Sequence, residues 1–545
     1  MNKRVLFATL CLLTAYVSSF ACTNLIVGKG ASKDGSTIVS YSADSYGLFG
    51  QLYHYPAGVH PKGTMRDVYD WDSGKFLGQI PEARQTYNVI GNMNEFQLTI
   101  AETTFGGRPE LVDTTGIIDY GSLIYIALQR SRTAKEAIKV MTSLVQEYGY
   151  YSGGESFTIA DPNEIWIMEL IGKGPGIRGA VWVAVRVPDD CITAHANHSR
   201  IHQFDMNDKE NCMYSPDVIS FAREKGYFSG VNKDFSFSRA YAPLDFGAVR
   251  YCEARVWSYF NRFTDRGKEF LPYIQRETDE PMPLFVKPSR KLSVQDVREA
   301  MRDHYEGTPL DISKDFGAGP YHTPYRLSPL EFKVGEESYF NERPISTQQS
   351  AFVFVAQMRA DLPDPIGGVL WFGLDDANMT VFTPVYCSTD EVPHAYAPNG
   401  ADYITFSWES AFWMYNWVAN MIYPRYDLMI DDLRSVQSAL ENEFDESQDA
   451  IEEVALKLHA ADPEKAKSFL KDYTHLTAQK AFESWKKLGE FLIVKYNDGI
   501  VQKTKNGQFM RDEYGQPASV LRPGYTKEFL EEYIKKTGDR YKVIE

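Results

Sequence analysis

Hydrophobic positions along the 545-residue chain change period several times, and each change predicts a different kind of element. The opening MNKR carries two positive charges and leads into an unbroken apolar run, LFATLCLLTAYV, that ends in the small residues SSFA. This is the layout of a signal peptide, cut after Ala21. Residues 5–17 make an apolar core of about 13 residues, short of the roughly 20 that cross a bilayer as a helix. No later stretch is apolar enough to span, so a soluble mature chain with no integral membrane segment is predicted.

From Cys22 the period becomes two. In CTNLIVG, Leu25 and Val27 fall on one face and Asn24 and Ile26 on the other; GKGASKDG supplies turn chemistry, and STIVSYSAD gives a second β-like run. The mature chain is therefore predicted to begin with a hairpin. Gly28, Gly30 and Gly35 miss the G-x-G-x-x-G spacing and no helix follows them, which makes this a turn rather than a phosphate loop. TYNVIG, FQLTIAETTF, ESFTIADP, EIWIMELI, VWVAVRVP and CITAHAN read as further strands, several closed by Asp-Pro-Asn or Pro-Asp-Asp turns. Two helices are expected at about 119–148, the second opening on Thr133 with Glu136 three residues on, ahead of Ala137, Val140, Met141 and Leu144 at helical spacing. A second β-rich block covers about 345–387, and the tail from about 405 is helical. The Pro-rich stretch near 281–289 and the charged stretch near 441–453 read as loops or exposed helix faces.

Strands in two blocks with helices in runs define an α+β class built on mainly antiparallel sheets. The expected organisation is a signal peptide at 1–21, a catalytic domain at 22–400 and a helical region at 401–545. A formal charge of −16, more negative once Lys3 and Arg4 leave with the signal peptide, gives no basic stripe for a phosphate backbone. Nucleic acid is therefore not expected as a partner. The five cysteines after the leader are Cys22, Cys191, Cys212, Cys252 and Cys387; an odd number in an exported chain implies one free thiol and at most two bridges, or five unpaired thiols. No Cys-x-x-Cys or His-Glu-x-x-His occurs. The strand-like CITAHAN sends His195 and His198 to opposite faces, so neither metal nor cofactor is expected. The carboxylates of WDSGKF and DLPDP read as turns and solvated faces.

Cys22 carries the candidate chemistry. A cysteine made N-terminal by cleavage has a free α-amino group on its own residue, with an ordinary pKa near 8, able to take the thiol proton directly or through water. The thiolate attacks an amide carbonyl and the protonated amine later supplies the leaving nitrogen with its proton. An oxyanion hole of Asn and backbone N–H groups must complete such a site.

The run CTNLIVGKGASKDGSTIVSYSAD resembles the mature start of the dipeptidases among the N-terminal-nucleophile hydrolases, relatives of the penicillin V acylases and bile-salt hydrolases. Similarity continues through NVIGNMNEFQLTIAETTFGG, FTIADPNEIWIMEL, VWVAVRVPDDCITAHANHSRI, HYEGTPLDISKDFGAGPYHTPYR and ERPISTQQSAFVFVAQMR, up to about residue 390. The resemblance implies a four-layer αββα sandwich of two sheets with a helical C-terminal addition, activation by signal peptidase alone, and small peptides as substrates. It implies Cys22 as nucleophile and amine base, Asp44 near the nucleophile's amino group, Asn94 and Asn197 at the reacting carbonyl, and a late arginine matched by Arg255 rather than Arg250. At Tyr41 the acylases and some dipeptidases have an arginine instead, so the thiol here must be activated in another way. A free substrate amine is expected to pair with Asp44 or Glu102. Two other readings follow from the same residues. One is an N-acyl amide hydrolase; the other is a non-catalytic binding module tethered to a membrane by a lipid on Cys22, against which stands Ser19 three positions before the cysteine. Self-association into a homo-oligomer is left open by the sequence.

Overall fold

A computed structural model describes residues 22–544; the expected signal peptide lies outside the described residues. The predicted hairpin forms from Asn24–Val27 and Thr37–Asp44, paired antiparallel with Ile26 opposite Val39. It sits inside a six-stranded sheet whose order is Ile192–His195, Asn24–Val27, Thr37–Asp44, Ser350–Met358, Val369–Leu374 and Thr383–Tyr386, every neighbour antiparallel. The chain thus brings its start, its middle and the second β block into one sheet. Every residue of Thr37–Asp44 and Ser350–Met358 is buried, because both faces of these strands are covered.

An eight-stranded antiparallel sheet runs in the order Cys212–Tyr214, Ala180–Arg186, Ile165–Gly172, Gly154–Ala160, Thr99–Gly106, Met93–Asn94, Val89–Ile90 and His54–Tyr55. Its central strands are the segments the alternation predicts. Thr99–Gly106 lies against Asn24–Val27 and Thr37–Asp44 of the other sheet. Polar contacts fix that approach: Asn24 Nδ2 donates to the Glu102 carbonyl at 2.9 Å, and Thr37 Oγ1 to the Asp161 carbonyl at 2.8 Å.

Helices Tyr120–Arg130 and Ala134–Tyr148 pack on the eight-stranded sheet, and Ala254–Phe263 and Val294–Met301 on the six-stranded one. Thr133 caps its helix by accepting from the Glu136 N–H at 3.3 Å, while Glu136 reaches back to the Arg132 N–H at 2.8 Å, one residue beyond the expected partner. The tail forms Ala411–Ile422, Tyr426–Ala461 and Pro463–Lys495, with the 441–453 stretch inside the middle helix. Pro463–Lys495 packs on strand Thr383–Tyr386, and Trp485, Leu488 and Leu492 belong to the same core as Val385 and Trp371. Apolar packing is therefore continuous across residue 400.

Periodicity gave no warning of the excursion between the sheets' strands, the hairpin Met65–Tyr69 and Phe76–Pro81. Its residues alternate weakly because only Val68 and Ile80 are buried. All five described cysteines are free thiols. No helix among the described residues is long and apolar enough to cross a membrane.

Candidate active site

Cys22 precedes the first strand of the six-stranded sheet, and its side chain faces a narrow cleft that Tyr41, Asp44, Asn92, Glu102 and Asp72 also line. The position follows from the hairpin: Thr23 bridges to Ser42, which sets Cys22 beside the end of Thr37–Asp44. Tyr41 and Asp44 reach the cleft from that strand, and Glu102 from the facing sheet.

Arg255, on helix Ala254–Phe263, is buried beneath this corner. Its guanidinium donates to the Cys22 carbonyl at 2.6 Å, Thr23 Oγ1 at 2.8 Å, the Ala196 carbonyl at 3.0 Å and Asn197 Oδ1 at 3.0 Å. Five planar donors on one side chain suit such a junction in a way a lysine would not. Arg250 points elsewhere, to an ion pair with Glu342.

Asn197 adopts φ 64° and donates its amide to the Thr104 carbonyl at 2.8 Å, so one side chain links the cleft strand to Arg255. Asp44 is fully buried and accepts from Arg343 Nη2 at 2.6 Å, Ser350 Oγ at 2.6 Å and Ser42 Oγ at 3.0 Å. Arg343 escaped the reading of the sequence; it lies within ERPIST, a stretch that looked similar without marking which residue mattered.

Asn94 is not brought to the cleft. Its Nδ2 donates to the Leu128 and Ser131 carbonyls at 2.8 Å each, and its Oδ1 accepts from the N–H groups of Phe96 and Leu98. Both amide hydrogens are engaged in closing a turn and holding the following helix, which leaves none for an oxyanion. Asn92, two residues earlier, lines the cleft instead.

Asp72 of WDSGKF lies in a turn and is exposed, as expected, and the turn stands at the mouth of the cleft. The reason is tertiary. Asp119 caps helix Tyr120–Arg130 through the N–H groups of Gly121 and Ser122, and the same carboxyl accepts the Trp71 N–H at 3.0 Å. Trp71 packs on Tyr125 with ring centroids 5.0 Å apart, and Tyr120 Oη donates to Asp72 Oδ1 at 2.9 Å.

Acids dominate the electrostatics. Burial, then the charges of Glu102 and Asp44, push the Cys22 thiol well above its ordinary value, against the opposing effect of the Asp44 N–H and the Tyr41 hydroxyl. Tyr41 Oη lies 3.7 Å from Cys22 Sγ and donates to Glu102 Oε1 at 2.7 Å. Burial raises the Glu102 carboxyl to about 7 and the Glu155 carboxyl well above its usual range. Glu155 is the partner of Thr104 in the sheet, diagonal to Glu102. His195 lies beyond: its two ring nitrogens meet Thr103 Oγ1 and Thr158 Oγ1, both at 2.7 Å, and burial lowers it to about 3.

A buried thiol ringed by oriented polar groups where two facing sheets meet is an arrangement that suits cysteine-based hydrolysis. Sequence comparison carries this further, for a model of peptidase family C69 matches residues 21–54 and 48–439. The chain belongs to peptidase family C69, a cysteine dipeptidase family. Similar proteins include a protein named probable dipeptidase from Salmonella dublin, 28% identical over 71% of this chain and 85% of its own length. Another, probable dipeptidase B from Streptococcus pyogenes serotype M1, is 24% identical over 90% of this chain and 97% of its own. Dipeptidase A from Lactobacillus helveticus is 24% identical over 72% of this chain and 80% of its own length.

Proposed function

We propose that this protein is an exported peptidase that hydrolyses dipeptides, with Cys22, made N-terminal by signal peptidase, as the nucleophile. One observation carries the proposal: the Cys22 side chain opens into the cleft while Arg255 clamps its carbonyl from behind. Two sheets in contact, with helices on each, support the four-layer αββα sandwich expected for N-terminal-nucleophile hydrolases.

The acidic surroundings of Cys22 explain why its own amine has to act. A thiol raised by burial and by neighbouring carboxylates does not ionise unaided near neutral pH, so a base must meet it directly. The α-amine takes the thiol proton, sulfur bonds to the substrate carbonyl carbon, and the carbonyl electron pair moves to oxygen. As the tetrahedral intermediate collapses, the amine's proton passes to the departing amino acid. Water, deprotonated by the same amine, then cleaves the thioester and releases the first amino acid.

Arg255 and Asn197 keep the Cys22–Thr104 frame in register, and the second Nδ2 hydrogen of Asn197 is the donor assigned to the oxyanion. Asp44, its charge balanced by Arg343, holds the end of the strand that supplies its N–H to the thiol. Steady-state hydrolysis of a dipeptide panel and an N-acyl amino acid panel tests the reading. Dipeptide turnover that collapses in Cys22→Ala supports it; turnover confined to N-acyl amides replaces it with an acylase.

A further inference from the structure

Three acceptors with room for another partner converge on the cleft from separate elements. Asn92 is almost fully buried; its Nδ2 donates to the Ile100 carbonyl at 2.9 Å, which fixes the amide orientation and leaves Oδ1 buried without a hydrogen-bond partner. Glu102 is likewise buried, with Oε1 taken by Tyr41, Oε2 without a well-formed hydrogen bond, and the Glu155 carboxyl and the Cys22 thiol as close neighbours. Asp72 stands exposed at the mouth, where its Oδ1 accepts from Tyr120 and its carboxylate adds negative charge to the two buried acceptors. Among the described residues lining the cleft there is no Lys, Arg or His.

Buried acceptors without donors are costly unless a ligand completes them. A ligand suited to all three must bring several N–H donors on one atom and positive charge. We infer that Asn92, Glu102 and Asp72 form a subsite for the primary ammonium of the substrate's N-terminal residue, beside the Cys22 thiol. The inference rests on the dipeptidase reading and deepens it. In an unblocked peptide the ammonium nitrogen is two bonds from the first carbonyl carbon, so holding it next to the sulfur selects the first peptide bond for attack. N-acylated amides bring no such cation. A bound ammonium would also offset the carboxylate charges that disfavour the thiolate, so the right substrate would help to activate the nucleophile.

Of the two acids expected from sequence, Asp44 is engaged by Arg343, and Glu102 remains. Asp72, an exposed turn residue as expected, reaches the mouth only through the tertiary docking of its hairpin.

The test uses a set of dipeptides and their N-acetylated counterparts on the wild-type enzyme, Asp72→Asn and Glu102→Gln, with folding of each variant checked by circular dichroism. Wild type should favour the free amine strongly. Either substitution should raise KM for free dipeptides about tenfold or more, with a smaller change in kcat, and lower the free-to-acetylated ratio of kcat/KM by a similar factor. If wild type favours free amines but both folded variants keep that ratio, the subsite is overturned while the dipeptidase reading stands. If wild type favours acylated substrates, the dipeptidase reading fails and takes the subsite with it.

Discussion

Glu102→Gln offers a test of the cleft's electrostatics that needs no substrate. In the fold its carboxyl rises from an ordinary value of 4.5 to about 7, chiefly through burial. The native state therefore holds a proton that the unfolded chain has released across that interval. By linkage, stability contributed by the protonated group is present below 4.5 and is lost as pH rises through 7. Integrated from pH 5 to pH 8, a shift of this size removes roughly 2 to 3 kcal/mol. Glutamine has no proton to lose, and without the Glu102 charge Glu155 is also relieved of one of the causes that raise it. Unfolding free energies from urea titrations of both proteins at pH 5 and pH 8 give the double difference directly. The wild type should lose roughly 2 to 3 kcal/mol more than the variant over this range. Equal pH dependence in the two would refute the claim that Glu102 is a buried carboxyl that resists ionisation.

Other substitutions probe separate parts of the site. Tyr41→Phe removes the hydroxyl that donates to Glu102 and opposes the rise of its carboxyl, so the pH dependence of unfolding free energy assigned to Glu102 should move to higher pH, read by urea titrations across pH 5 to 8. Arg255→Met leaves buried acceptors without a donor; a loss of about 3 to 5 kcal/mol in stability and of at least 100-fold in kcat/KM is expected, read by denaturation and steady-state assay. Gly121→Ala places a Cβ 2.5 Å from Trp71 Cγ, which should displace the Asp72 loop and raise KM for free dipeptides more than it lowers kcat. His195, lowered to about 3, must be neutral in the fold, so its share of stability is lost as pH falls below about 6.5; His195→Gln should flatten the acid limb of a stability profile.

How much of this was legible depended on range. Alternation found the opening hairpin and the central strands because each is a local pattern with one register that buries it. Cys22 stood out because the expected signal peptide ends just before it, and Asp44 and Arg255 through motifs whose order matches the resembled family. Asn92 and Asn94 both sit in GNMNE, and nothing local distinguishes the one that faces the cleft from the one that closes the turn. Asp72 and Arg343 escaped for a related reason: each reaches the site through contacts with partners far along the chain, Tyr120 for the first and Asp44 for the second. A turn carboxylate looks the same in sequence whether its loop is solvated or docked.

The central claim is that Cys22 works with its own free amine. Intact-mass and N-terminal sequence analysis of the purified, active protein tests it most directly. The account predicts a chain that starts at Cys22 with an unmodified α-amine. An active protein that starts elsewhere, or whose Cys22 amine is acylated, would contradict it.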